Sequence, residues 1–205
     1  MEPITAPAPP ASEAPDVAPG TPASTSTTST TAASAARVVA VPYRIETRSG
    51  DPATSDFGAV VRATLADPRG WRQGGFDIHE DPAATFAVVL AEPAEAQQLC
   101  LPMDVYSKYS CQNGPLVVLN ADRWRAATPE WTGDLDSYRR MLVDHEFGHL
   151  LGRHHVPCGP AGRPAPVMCQ QSTELKGALA NPWPLPEEIA AAAAHDRPLA
   201  PLPGQ

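Results

Sequence analysis

The sequence lacks the features that mark membrane-spanning and nucleic-acid-binding proteins. No apolar run is long enough to cross a membrane, and no charged segment followed by an apolar one opens the chain as an export signal would. Lys and Arg number only 15 against 23 Asp and Glu, which gives a formal net charge of −8. The basic residues are scattered rather than clustered, so the composition argues against a nucleic-acid partner.

Large apolar side chains are scarce in residues 1–36, which are mostly Ala, Pro, Ser and Thr. Such a segment cannot offset the entropy lost on ordering, so we predict a disordered linker or stalk, with an O-glycosylated stalk as the alternative. Residues 37–198 suffice for one catalytic domain with its own core, and residues 199–205 are predicted to be a disordered tail. A stalk typically tethers a domain, so the expected location is extracellular or cell-surface, with an export signal or anchor outside this sequence.

Cysteine is limited to four residues, which fall in two close pairs along the chain. No C-x-x-C spacing occurs, which argues against a second zinc site. Two local disulfides, Cys100–Cys111 and Cys158–Cys169, would suit an exported protein. Four reduced, buried thiols in a cytosolic protein are the alternative.

The most informative feature is the string H-E-F-G-H-L-L-G-R-H-H, which begins at His145. Side chains four residues apart lie on one face of a helix, so His145 and His149 can offer two imidazoles to one ion. Gly152 tolerates the left-handed conformation that ends a helix, which lets the chain turn and bring His155 back toward that ion. His154 is adjacent to the third ligand position, and the Gly-x-x-His offset favours His155 as the ligand.

Glu146 makes this cluster a candidate catalytic site. Three neutral nitrogen ligands leave one position of a tetrahedral zinc ion for water. A carboxylate beside the first ligand can accept a proton from that water and pass it on. We therefore predict one Zn²⁺ per chain and Glu146 as the general base. The alternatives are a histidine-rich helix end without a metal, and a site that binds zinc but performs no chemistry.

The pattern H-E-x-x-H-x-x-G-x-x-H resembles the signature of metzincin-type zinc peptidases. Downstream, the segment P-A-P-V-M that ends at Met168 is similar to the Met-turn of those peptidases, a tight turn whose methionine forms a hydrophobic floor beneath the metal ligands. The resemblance implies that role for Met168. Astacin-like metzincins carry a Tyr ligand two residues after this methionine, where the present chain has Gln170, so no further protein ligand is expected.

The pattern of apolar residues predicts an α/β (α+β) fold. The order of elements is similar to that of a small metzincin, with a twisted mixed sheet, an active-site helix, a Met-turn and a C-terminal helix. The predicted elements are strands at 38–47, 71–79, 85–91 and 116–120, helices from 55, at 135–151 and at 186–194, and a short helix or turn at 93–99.

Four further segments resemble an uncharacterised bacterial secreted family described as metzincin-like, and the resemblance covers roughly residues 38–190. In that family a cysteine often lies near the position of Ala178. Cys169 departs from this pattern, which leaves the partner of Cys158 open. The four segments are 70–71, 119–124, 164–171 and 181–184.

The residues and the resemblance together favour a zinc-dependent endopeptidase that acts on an extended peptide or protein. Substrate is expected to lie along a free sheet edge next to residues 116–120, by strand addition, with residues 156–168 forming the wall on the leaving-group side. Two alternatives stay open: a catalytically silent zinc-containing domain that binds a peptide or cell-wall fragment, and an amidase that acts on peptidoglycan stems. The chain is expected to be a monomer.

Overall fold

A five-stranded sheet organises residues 38–194, the part of the chain that the computed structural model describes. The strands follow the order β2-β1-β3-β5-β4 across the sheet, and all neighbours are parallel except β4, which runs antiparallel to β5. The domain boundaries predicted at 36/37 and 198/199 lie outside the described residues and stay predictions. The strands are β1 (Val39–Thr47), β2 (Phe76–Glu80), β3 (Phe86–Ala91), β4 (Cys111–Asn113) and β5 (Leu116–Asn120).

The sheet is covered on both faces, and the central strand β3 shows why. Successive side chains of a strand point to opposite faces, so a strand that is apolar at every position needs cover on both. Val88 and Leu90 join the larger core, whereas Ala87 and Val89 join a smaller cluster on the other face. All six residues of β3 are buried.

Helices divide between the two faces of the sheet. α1 (Phe57–Ala66) and α4 (Leu135–Leu150) pack against each other and contribute to the larger core. α2 (Pro93–Cys100) closes the smaller cluster on the opposite face. Two further helices, α3 (Ala121–Arg125) and α5 (Pro186–Ala193), follow β5 and close the described chain.

The mixed sheet and its helices confirm the predicted α/β (α+β) class. None of the helices within residues 38–194 combines the length and the apolar character needed to cross a membrane.

The predicted elements differ from the observed ones mainly where glycine intervenes or where an element is short. The strand predicted from Trp71 begins only at Phe76, because residues 71–74 form a 3-10 helix. Gly75 ends that helix with φ of +82°, a left-handed conformation that a strand does not adopt. β4 and α3 have three and five residues, too few for a periodic pattern to reveal them.

Both cysteine pairs form disulfides in the structure. Cys100–Cys111 joins the end of α2 to β4, and Cys158–Cys169 lies in the segment between α4 and α5. Ala178 belongs to the same small buried cluster as Cys158 and Cys169, so the cysteine position of the similar family lies in the same cluster as this bridge. Two disulfides are compatible with an extracellular protein.

Candidate metal centre

The helix α4 carries the first part of the site. Its start is defined by Asp134, whose carboxylate accepts a hydrogen bond from the Ser137 backbone N–H at 2.7 Å. His145 and His149 lie one turn apart near its C-terminal end, with their ring centroids 4.9 Å apart. The i, i+4 spacing therefore places both imidazoles on one face of the helix.

Gly152 ends α4 in the way that the sequence predicts. Its φ is +79°, and its N–H donates to the His149 carbonyl at 2.9 Å. The Arg153 N–H donates to the Gly148 carbonyl, also at 2.9 Å. These two bonds form a Schellman motif, in which a left-handed residue turns the chain back along the helix end. The turn carries His155 back to the other two histidines.

The three side chains bring their Nε2 atoms to one point. His145 Nδ1 donates to the Val167 carbonyl and His149 Nδ1 to the Arg153 carbonyl, each at 2.7 Å. A carbonyl can only accept, so in each neutral ring Nε2 is left with a lone pair. His155 Nε2 lies 3.1 Å from the Nε2 atoms of both other rings.

This donor set fits a metal ion. One ligand atom from each of His145, His149 and His155 lies within 4.8 Å of the others. Lone pairs that converge without protons between them repel one another, and a shared cation removes that repulsion. Imidazole nitrogen suits zinc, copper, iron and nickel. The carbonyl partners of the Nδ1 atoms are the outer contacts that typically fix ring orientation at metal sites.

Burial keeps these rings neutral. Desolvation and the neighbouring histidine lower the pKa of His145 to about 3. Desolvation is also the main cause that lowers the pKa of His149 to about 4, and it lowers the pKa of His155 in the same direction. A metal ligand must be deprotonated, so the site is ready for a cation at neutral pH without releasing a proton.

Glu146 lies beside the ligands and lines the same cleft. Its side chain is buried, and desolvation raises the pKa of its carboxyl to about 8. A cation held by the neighbouring histidines would favour the charged carboxylate and lower that pKa. Glu146 therefore lines the cleft, and the pKa of its carboxyl depends on burial and on any cation held beside it.

Met168 packs directly beneath the ligand helix. The methionine is 1 % exposed, and a Cβ added at Gly148 would collide with its sulfur and lie 2.8 Å from Trp71 Cζ2. Gly148 stands between His145 and His149, so the methionine touches the backbone that carries both ligands. Gly148 is not among the predicted site residues, although a glycine inside a helical pattern can signal such a close approach.

Glu188 is a second residue that the sequence did not reveal. Its buried carboxylate accepts backbone hydrogen bonds from Val167 at 2.9 Å, Met168 at 2.8 Å and Leu185 at 2.7 Å. The Val167 carbonyl holds His145, so Glu188 on α5 is linked through one residue to the first ligand. Only tertiary structure brings a residue this distant in sequence against the turn.

The site opens into a cleft of about 500 Å³. One wall is α4, and the opposite wall is the loop 101–110 together with the edge strand β4. Gln97 stabilises this loop, since its side-chain oxygen accepts from the backbone N–H groups of Val105 and Ser107. The Cys100–Cys111 disulfide closes the base of the loop.

The other predicted site residues lie at the cleft without joining the ligand group. His154 is exposed and lines the cleft, but no nitrogen of its ring belongs to the set within 4.8 Å. Gln170 also lines the cleft. The Cys158–Cys169 disulfide spans the stretch between the third histidine and the turn at Met168.

Comparison with known proteins gives one match. No curated protein and no solved structure matches the chain. Residues 9–189 match the family described as "Protein of unknown function (DUF3152)", which is well over half of the 205 residues. The chain therefore belongs to the DUF3152 family.

Proposed function

We propose that this protein is a zinc-dependent endopeptidase of the metzincin type. The observation that carries the proposal is the meeting of three imidazole nitrogens with the Glu146 side chain in one open cleft. A purely structural metal site is normally closed by four protein ligands, whereas a catalytic one keeps a position free. Three histidines within 4.8 Å of one another leave such a position.

Zinc is the metal that suits this donor set and this chemistry best. His145, His149 and His155 would hold it through Nε2, while the Val167 and Arg153 carbonyls keep two of the rings in the correct tautomer. When bound, zinc makes water more acidic and polarises a substrate carbonyl. Met168, buried under α4, supports the helix segment that carries two of the ligands.

Glu146 supplies the acid–base chemistry of the proposed reaction. Its carboxylate accepts a proton from the attacking water and returns that proton to the leaving amine as the peptide bond breaks. The position next to His145 keeps the carboxylate at the cleft without making it a ligand.

The substrate is proposed to be an extended peptide that lies along β4. This strand pairs with β5 on one side, and no other described strand pairs with its second side. Backbone groups along a free edge can add another strand by hydrogen bonding. Ser110, Cys111 and Gln112 line the cleft, so a peptide added there passes the three histidines. None of residues 156–168, which the sequence predicts as the wall on the leaving-group side, lines this cleft, and residues 170–173 line it instead.

Location and oligomeric state complete the proposal. The protein is proposed to act as a monomer outside the cell or at its surface, where the two disulfides would persist. A silent binding domain would have no use for a carboxylate beside the ligands, and no observation favours that alternative. An amidase that acts on peptidoglycan stems would use the same residues and differs only in what the cleft accepts.

To test the proposal, the zinc-loaded chain is incubated with a broad peptide library and, separately, with purified peptidoglycan. Mass spectrometry identifies the termini of all products. We expect cleavage of internal peptide bonds in the library, loss of cleavage with a zinc chelator, and recovery when zinc is added back. Release of stem peptides from peptidoglycan without cleavage of the library would replace the endopeptidase by the amidase. Zinc binding without hydrolysis of either substrate would favour the silent binding domain.

A further inference from the structure

One end of the cleft carries a cation that no described side chain neutralises. Arg123 lies on α3 and lines the same cleft as the three histidines. Its Nε is buried and has no hydrogen-bond partner among the described residues. Within residues 38–194 no carboxylate forms an ion pair with it, although the whole chain has 23 acidic residues against 15 basic ones.

Two neighbouring arginines, unlike Arg123, form ion pairs with carboxylates of the fold. Arg125, two residues further along α3, binds Asp51 and Glu92 at 2.6 Å each. Arg139 on α4 binds Asp56 at 2.8 Å. These two arginines join elements of the fold through carboxylates, whereas Arg123 lines the cleft.

Contacts between α3 and α4 locate this end of the cleft. Arg139 Nε donates to the Trp124 carbonyl at 2.8 Å, which holds α3 beside the first turn of α4. There the Tyr138 hydroxyl forms a 2.9 Å hydrogen bond with Ser172, a residue that also lines the cleft. Burial raises the pKa of Tyr138, and the bond to Ser172 and the positive charge of Arg123 oppose that rise.

The distance from this end to the histidines follows from helix geometry. Tyr138 precedes His145 by two turns of α4, which is about 10 Å along the helix axis at 1.5 Å per residue. An extended peptide advances about 3.3 Å per residue, so about three residues would cover the distance along α4 from Tyr138, beside Arg123, to His145.

The other charged groups of the cleft leave Arg123 as a distinct positive end. Among the residues that line the cleft, it is the one permanently charged cation. Asp104 belongs to the loop of the opposite wall, where its carboxylate accepts a hydrogen bond from the Tyr106 N–H at 2.8 Å. Glu146 lies beside the ligands.

We infer that Arg123 binds a carboxylate of the substrate, about three residues away from the bond that is cut. A guanidinium offers paired N–H donors that match a carboxylate, and such charge-assisted bonds are stronger than neutral ones. The inference rests on the proposed function, because it assumes that an extended peptide occupies the cleft. The carboxylate belongs either to an Asp or Glu side chain or to the C-terminus of the peptide, and both sources share this chemistry.

The experiment measures peptide binding rather than hydrolysis. The full chain with Glu146→Gln is loaded with zinc, and fluorescence anisotropy follows its binding of labelled octapeptides. Each peptide carries one glutamate, placed at each position in turn, and is compared with the peptide that has glutamine at that position. Every peptide is made in two forms, with a free and with an amidated C-terminus. The set is repeated after adding Arg123→Gln, and after adding Arg140→Gln, which removes the same charge from α4 outside the cleft lining.

We expect one carboxylate to improve binding by about tenfold or more, the size of a single charge-assisted hydrogen bond. Arg123→Gln should abolish this preference, and Arg140→Gln should retain it. If the preference disappears only when the C-terminus is amidated, Arg123 binds the C-terminal carboxylate. If it disappears when glutamate is exchanged for glutamine, Arg123 binds a side-chain carboxylate. Thermal unfolding and zinc content of each variant verify that the site is intact.

Three results would overturn the inference: no carboxylate preference in the chain that keeps Arg123, an unchanged preference after Arg123→Gln, or no binding of any peptide. The last result would also remove the peptide as occupant of the cleft. An Arg123-dependent preference in a chain that cuts none of the peptides when Glu146 is present would leave Arg123 as a carboxylate-binding site and overturn the endopeptidase.

Discussion

At the scale of single residues, the site depends on hydrogen bonds that decide which nitrogen of each ring faces the cleft. The Val167 and Arg153 carbonyls occupy Nδ1 of His145 and His149, so the Nε2 atoms are the ones available to a metal. His155 reaches the same point only because Gly152 turns the chain there. The ligand set can therefore be tested one side chain at a time.

We predict that His145→Ala, His149→Ala and His155→Ala each lose zinc, because two imidazoles and water bind the ion far more weakly than three imidazoles. His154→Ala should keep one zinc per chain and serves as the matched control, since His154 adjoins the third ligand and lines the same cleft. Elemental analysis of the purified variants measures this. Loss of zinc in the His154 variant alone would show that the wrong histidine has been assigned.

Gly148→Ala should destabilise the domain by about 1–3 kcal/mol, because the added methyl group collides with Met168 and Trp71 in a packed core. Helix propensity alone predicts the opposite, a gain of about 1 kcal/mol. Gly58→Ala on α1 is the control, because its methyl group would meet only the flexible end of Arg62. Urea unfolding compares the two, and equal effects on the free energy of unfolding would refute the close packing of Met168.

Glu188→Gln should lower zinc affinity by about 10–100-fold, the usual effect of losing an outer contact of a metal site. The amide nitrogen of Gln is a donor, and it would replace the oxygen that accepts either from the Met168 N–H or from the Val167 and Leu185 N–H groups. Glu187→Gln removes the same charge from an exposed position next to it. Competition with a zinc-binding dye measures the zinc affinity of both variants. An unchanged zinc affinity in Glu188→Gln would contradict a role of Glu188 in positioning the metal site.

At the scale of elements, the site lies where α4, the following turn and the edge of the sheet meet. The Val156 N–H donates to the Met168 carbonyl at 3.2 Å, so the chain leaving the third ligand is paired with the turn beneath the site. The Cys158–Cys169 disulfide joins the same two stretches covalently. The Cys100–Cys111 disulfide instead anchors the loop on the opposite wall of the cleft.

The two disulfides should therefore separate metal binding from peptide binding. Replacing Cys158 and Cys169 together by alanine should weaken zinc binding and turnover before the fold is lost, whereas replacing Cys100 and Cys111 should leave zinc bound and raise KM. Each bridge closes a short loop and contributes about 2–3 kcal/mol to stability. Zinc content, KM and thermal unfolding of the two double variants decide this, and identical losses of zinc in both would contradict the assignment.

The elements differ in how far the sequence alone predicts them. Regular patterns predicted β5, α4 and the helix end at Gly152, because apolar spacing and a glycine at the cap act locally. The edge strand β4 is too short to show a pattern, yet it lines the cleft, and no described strand pairs with its second side. Glu188 was not predicted for a related reason, since its three hydrogen-bond donors become neighbours only after folding.

At the scale of the whole molecule, the sheet and helices bring the three histidines and Arg123 into one cleft. The match to the DUF3152 family covers residues 9–189, a range that includes every residue lining this cleft. The fold class was predicted from the order of elements and is confirmed, whereas the cleft itself depends on contacts between distant segments. The proposed chemistry needs both zinc and the Glu146 carboxylate in that cleft.

The most direct measurement is zinc content and peptide turnover, determined on the same preparations of the native chain and of Glu146→Gln. We predict one zinc per chain in both, and turnover that falls by about 10²–10⁴-fold in Glu146→Gln, the range expected when general acid–base catalysis is removed. Equal turnover in the two preparations, or a native chain that binds no zinc, would contradict the account.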